Sequence, residues 1–305
     1  MTQEQWDKQV IDLGGGILQS WAWGEFQKSL GLKIDRQAGL DWAAQIIEHD
    51  LMMGKKFWYS PRGPIGNVKS ATDFLRRTAS QDHKITFLRL EPSEPIDVPP
   101  SPKEVQPKEN WVVGLEGSEE EILISMKPKH RYNVNLAQRK GITIRHAQKS
   151  DFLDIWNLFL ETSSRAKIRP HPQDYYLHMW EQLGENHLKV MVAEYQGRIL
   201  ACVFVSLFNK TATYLHGASS DKDKNLMAPF LLHWEAMKEV KSLGYFNYDM
   251  GGFTNDPKHP WAGISRFKQG FGGFEVRYPG TFDLVLSPLW YNVYKNARKF
   301  RKLLK

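Results

Sequence analysis

The clearest hydrophobic pattern lies in the second half of the chain. Apolar residues at 152, 155, 156 and 159 recur at helical spacing, which predicts a helix over 151–163. Two apolar runs, 188–195 and 199–207, flank Gln196-Gly197, and Asn209-Lys210 separates the second run from a third at 211–216. Short apolar runs parted by turn dipeptides read as a β-meander. A helix is predicted over 229–243, with proline in its first turn and Gly244 after its end. A strand at 245–250 completes the order β-β-β-α-β, a meander followed by a crossover.

The first half repeats that order more faintly. Ser20 is a plausible N-cap for a helix over 20–30, followed by apolar runs at 42–47 and 57–59. A helix near 71–80 and a strand over 84–90 come next. The tract 91–107 carries six prolines and reads as an extended surface connector. Beyond it, 118–145 reads as two helices and a strand. Ser118 with three following glutamates makes an acidic first turn, and Gly141 stops a basic helix over 127–140. With no short-period repeat, this is not a solenoid. The pattern predicts two similar α/β lobes whose junction would offer a ligand cleft.

Composition and charge add further constraints. A 41% hydrophobic and 25% charged chain is that of a packed globular protein, which excludes disorder. Cys202, the lone cysteine, cannot form an internal disulfide or a cysteine-rich metal site, and within an apolar run it reads as a buried small hydrophobe. No stretch approaches the length of a membrane span and no leader pattern opens the chain, so a cytoplasmic protein is expected. Of the net charge of +7, six positives come from Lys295, Arg298, Lys299, Arg301, Lys302 and Lys305, with no acid after Asp283. That tail, with Trp290, Tyr291 and Tyr294, suits either a solvated helix end or contact with phosphates or anionic lipid at the inner membrane face.

Four segments carry candidate chemistry. In 245–280, glycines crowd around Lys268, which stands between Phe267 and Phe271. A lysine there is either a surface residue beside a β-hairpin or an ammonium set against a developing oxyanion. Asp249 in YDMGG is a possible helper or a residue that holds the loop. In 213–229 a strand ends at His216-Gly217 and a polar loop leads to a helix, a junction suited to anions. The [RQ]xxGx[GA] pattern of acetyl-CoA enzymes is absent there. In SWAWGEFQKSL, Trp23, Gln27 and Lys28 could form an aromatic and polar patch, the tryptophans otherwise filling a core. In 127–140, Lys127 and Arg131 share a helix face near Lys140, a strip that could neutralise RNA phosphates or simply be solvated. No residue pattern argues for a metal or a cofactor.

Taken in order, ILQSWAWGEFQKSLG, WYSPRGPIG, MKPKHRYNVNLAQRKGI, YLHGASS and YDMGG…FKQGFGG…TFDLVL resemble the FemA/FemB/FemX family of peptidoglycan interpeptide-bridge aminoacyltransferases, in the short form without a coiled-coil insert. The resemblance implies two acetyltransferase-like (GNAT) lobes with mixed, largely antiparallel sheets flanked by helices. The first would span 1–145, completed by a returning tail at 281–305, and the second 146–280. It implies transfer of an amino acid from aminoacyl-tRNA to an amine on a muropeptide precursor, UDP-linked or lipid-linked. It assigns Phe267 and Lys268 to catalysis and Tyr214, with neighbouring Gly217, to substrate. Arg169, His171 and Tyr175 fall loosely on the acceptor side. Gln27, with Lys28 adjacent, stands where the family often has a substrate-binding lysine. Two other readings stay open: an acetyl-CoA-type N-acyltransferase, and a non-catalytic RNA- or membrane-surface-binding protein.

Overall fold

A computed structural model describes the backbone of residues 1–303 and the side chains of residues 1–299. The chain opens with α1 (Gln3–Asp12), capped by Thr2, and α2 (Trp21–Ser29), where the Ser20 hydroxyl accepts from the Trp23 amide. Strands β1 (Lys33–Ala38), β2 (Trp42–Asp50), β3 (Lys56–Ser60) and β4 (Ile65–Gly66), helix α3 (Val68–Ala79) and strand β5 (Ile85–Leu90) follow. Trp42, Ala44 and Ile46 alternate along β2 and pack with Ala71, Leu75 and Ala79 of α3. The intervening Ala43, Gln45 and Ile47 are buried on the other face. A strand covered on both sides reads as a continuous apolar run, as 42–47 does.

The second unit begins with β6 (Glu109–Gly114), α4 (Glu119–Ser125), α5 (Pro128–Arg139), β7 (Thr143–His146), α6 (Phe152–Ala166) and α7 (Gln173–His187). The meander β8 (Leu188–Tyr195), β9 (Arg198–Phe208) and β10 (Thr211–Ser219) is antiparallel. It turns at Gln196-Gly197 and Asn209-Lys210, all four at positive φ, as two-residue hairpin turns require. Helix α8 (Ala228–Ser242) crosses over to β11 (Asn247–Gly252), and α9 (Ala262–Gln269) and β12 (Phe274–Arg277) complete the unit. Its seven strands run β12-β6-β11-β10-β9-β8-β7, and β10–β11 is a parallel pair.

The chain then returns to the first sheet. β13 (Phe282–Val285) pairs with β5, giving the order β1-β2-β3-β5-β13 with β4 beside β2, and α10 (Pro288–Leu303) follows. Asp283 lies opposite Arg89 in the ladder and forms a buried bidentate ion pair with it at 2.7 and 2.8 Å. Tyr291 donates to Asp283 at 2.8 Å, and Arg89 donates to the Tyr294 hydroxyl at 3.2 Å, which fixes α10 to this unit.

The two units are therefore 1–108 with 277–305, and 109–276. The expected boundary at 145 moves to 108. Residues 109–145 belong to the second unit because β6 pairs with β11 and β7 with β8. The tail positions Arg301 and Lys302 lie outside the described side chains, and Lys305 outside the described residues.

Candidate active site

The site in the second unit arises from an interrupted strand pair. β10 and β11 are paired only from Thr211/Asn247 to Thr213/Asp249, although both strands continue. A bulge then separates Tyr214 from His216 in the β9–β10 ladder, and the β6–β11 register shifts between Asp249 and Gly252. Bulges bend a strand and redirect its side chains. Tyr214 accordingly packs on His233 of α8, with ring centroids 4.7 Å apart, while His216 turns to Tyr176, His171 and Tyr175 on the α6–α7 side.

Beside the parted strands is a cavity of about 350 Å³, lined by Tyr214, Gly217, Phe230, His233, Ile264 and Phe267 among others. A Cβ at Gly217 would stand 2.4 Å from the Tyr214 hydroxyl and 2.9 Å from the Cys202 carbonyl, so this close approach needs glycine. The first turn of α8 borders the cavity through Ala228, Pro229 and Phe230. Amides of a first helical turn lack intrahelical acceptors and favour negative charge. Arg165, Lys222 and Lys224 lie on the same lining, and Arg165 and Lys224 both pair with Asp221.

Lys268 comes from the last turn of α9. The helix replaces the hairpin setting open to this lysine in the sequence: an eight-residue run with apolar Ile264 and Phe267 between Trp261 and Gly270. Its ammonium is buried, 8% exposed, and donates to the Gly252 carbonyl at 2.7 Å at the end of β11. Desolvation pushes its pKa down to about 8, against a smaller upward pull from Asp249. Asp249 accepts from Asn110 Nδ2 at 2.9 Å and from the Gly251 amide at 2.7 Å, so it holds the strand-end loop as well as facing the lysine. Phe267, one residue earlier, reaches the cavity wall.

Two histidines support this arrangement. His233 Nδ1 is 3.0 Å from the Tyr248 hydroxyl, and burial, with the nearby Lys268 charge, pushes its pKa down to about 3, so the imidazole is neutral. His130 Nε2 donates to the Phe267 carbonyl at 2.9 Å, inside a cage of Phe230, Phe267 and Phe271. The Lys127 amide donates to the Gly270 carbonyl at 2.9 Å, so the start of α5 is fastened to the end of α9.

The remaining candidates divide into groups. His171 stacks on Tyr175 at 4.0 Å, and His216 sits 5.7 Å from each ring; Arg169 is exposed on the same connection. Burial lowers the pKa of both His171 and His216, the latter to about 3, and raises that of Tyr175. In the first unit Trp23 and Gln27 are buried, Trp23 edge-on to Phe26, and Lys28 pairs with Glu25 at 2.8 Å. Of the two tryptophans of α2, Trp21 is the one that carries a cation, with the Arg36 guanidinium 3.7 Å from its ring.

The basic strip is also divided. Arg131 donates to the Ile124 carbonyl at 2.8 Å and to Met126, satisfying carbonyls that end α4, whereas Lys127 and Lys140 are exposed. Cys202 is buried, and desolvation pushes its thiol up to about 12, as suits a packed hydrophobe. His233 and Asn110 give no sign in the sequence of their part here, and His130, on the basic helix α5, turns inward to the Phe267 carbonyl. A lone histidine in an apolar helix gives no signal that it borders a cavity.

The FemAB family model matches residues 100–198 and 194–299. This chain belongs to the FemAB family. A lipid II:glycine glycyltransferase of Staphylococcus epidermidis is 20% identical over 263 residues, covering 65% of this chain and 63% of that protein. The match thus spans under two thirds of that relative's length. A solved structure, the crystal structure of FemX, superposes with a TM-score of 0.86 at 17% identity, covering 96% of this chain and 98% of that one. A tandem GNAT protein from the clavulanic acid biosynthesis pathway gives 0.53 at 11% identity, covering 94% and 97%. At these identities the likeness is one of fold: this FemAB chain is built from two GNAT-like lobes.

Proposed function

We propose that this protein transfers an amino acid from aminoacyl-tRNA to an amine on the stem peptide of a peptidoglycan precursor. The observation that carries the reading is the buried Lys268 ammonium, held on the Gly252 carbonyl where β10 and β11 part. It stands one residue from Phe267 in the cavity wall, in a chain of the FemAB family. The name of the Staphylococcus relative supports the acceptor class.

The reaction is ester aminolysis. The acceptor nitrogen attacks the ester carbon, the C–N bond forms, and the bond from carbon to the tRNA ribose oxygen breaks. One proton leaves the amine and one ends on the ribose oxygen. The carbonyl oxygen is transiently anionic, and a positive charge already desolvated beside it needs little reorganisation. Lys268 supplies that charge, and Phe267 positions the donor. Tyr214 and Gly217 shape the donor side of the cavity, and Asp249 keeps Lys268 charged.

The acceptor is assigned to the cluster of Arg169, His171 and Tyr175, and Lys127 and Lys140 to tRNA phosphates. Such a reaction draws on cytoplasmic donors. Among the described residues no helix is long and apolar enough to cross a membrane. The test is a donor screen. The purified protein is given a muropeptide precursor with labelled aminoacyl-tRNAs or labelled acetyl-CoA. Label reaching the precursor from a charged tRNA is the expected result; consumption of acetyl-CoA alone would replace this reading.

A further inference from the structure

The first unit carries a surface that the transfer chemistry leaves unused. The β2–β3 turn presents Met52 and Met53, 54% and 80% exposed. Met53 adopts φ 58°, a left-handed conformation unfavourable for a side chain of this kind. Against this turn lies α10, anchored from beneath by Tyr291 and Tyr294 as described. Between them runs a groove of about 480 Å³ lined by Met52, Lys55, Trp290, Val293 and Arg298, with Asp50 as an acid on the same wall. Lys55 Nζ stands 5.2 Å from the Trp290 ring. Leu289 and Val293, one helical turn apart, are 71% and 36% exposed.

Exposed methionine and leucine tips ringed by cations and an indole are what an interface of acyl chains and anionic headgroups selects. Nucleic acid would match the cations but not the projecting apolar tips. From this we infer that the Met52–Met53 turn and the outer face of α10 form a docking surface for an anionic lipid bilayer. The turn dips into the acyl boundary while Lys55, Arg298 and Lys299 meet headgroup phosphates. This surface goes beyond the transfer reading and stands or falls without it, since vesicle binding needs neither donor nor acceptor.

The test uses the full chain and exploits its cysteine content. Cys202 is the one cysteine in the sequence and is buried, so Met53→Cys accepts a polarity-sensitive fluorophore selectively. Leu40→Cys is the control: Leu40 is fully exposed just before β2, whereas Met53 follows its far end, about 30 Å away along a nine-residue strand. With vesicles of phosphatidylcholine and phosphatidylglycerol, the probe at 53 is expected to shift to the blue and the probe at 40 to stay unchanged. Phosphatidylcholine alone is expected to bind weakly. In unlabelled protein Met52→Ser with Met53→Asn, asparagine being tolerant of left-handed φ, should weaken partitioning about tenfold or more. Lys55→Gln and Arg298→Gln should each weaken it about fivefold. Three results would overturn the inference: no partitioning, partitioning with position 53 still in water, or loss of tRNA binding in the two cation variants while vesicle binding is unchanged.

Discussion

Replacing Lys268 by methionine should stabilise the second unit at neutral pH, by an amount that disappears in alkali. In the fold this amine titrates near 8 against 10.5 for a free lysine. A tenfold change in proton affinity is about 1.4 kcal/mol, so carrying the charge into the site costs about 3 kcal/mol at pH 7. Methionine avoids that cost but forfeits the bond to the Gly252 carbonyl, about 1 kcal/mol. The net expectation at pH 7 is a variant about 2 kcal/mol more stable than wild type. Between pH 8 and 10.5 the unfolded chain holds a proton that the folded chain has released, so wild-type stability rises with pH through that window. The gap between the proteins should therefore close between pH 7 and pH 10. Urea denaturation of both at the two pH values measures it, with amide exchange in β11 assigning the transition to this unit. A gap independent of pH would mean that the ammonium reaches bulk water, and the burial argument would fail.

Three further outcomes follow from the same geometry. Because Lys268 must be charged to meet an oxyanion, transfer should fall as pH rises through about 8, a descending limb that a pH–rate profile reveals and that Lys268→Arg should move upward. Gly270→Ala would put a methyl within 2.0 Å of His130 Nε2, so it should lower stability by about 1–3 kcal/mol in a thermal melt and slow transfer by displacing α9. Lys127→Gln with Lys140→Gln should weaken tRNA binding and reduce the slope of log affinity against log salt by about 2, measured by filter binding.

Much of the fold was legible because local signals agreed with tertiary ones. The meander from 188 to 219 could be read since each turn dipeptide adopts the positive φ that its hairpin needs, and since β9 is almost wholly buried. Helix α8 announced itself by Pro229 and Gly244. The misses have physical causes. β6 follows a proline-rich tract and finds its partner β11 more than 130 residues away, a pairing that no local pattern encodes. β1 is a partly covered edge strand with little apolar contrast. Helix α9 hides in a glycine-rich stretch, where glycines at 263 and 270 mark its two ends rather than a loop.

The site was legible only in part. The ordered motifs singled out Phe267 and Lys268 as candidates, and the structure places Phe267 with Tyr214 and Gly217 on one cavity. What held them there was not visible in advance. The bulge that sends Tyr214 and His216 to opposite faces depends on register with β9, and the His130 bond to the Phe267 carbonyl joins residues 137 positions apart. Trp23 and Gln27 illustrate the opposite case. Helical spacing allowed them an exposed patch, but the packing of α2 buries them and leaves Trp21 to carry the cation.

The most direct measurement is single-turnover transfer from labelled aminoacyl-tRNA to a purified muropeptide precursor, comparing wild type with Lys268→Met at saturating donor. A folded variant slowed by about 10²–10³ with donor affinity unchanged is the predicted result. Transfer at the wild-type rate by that variant would contradict the account.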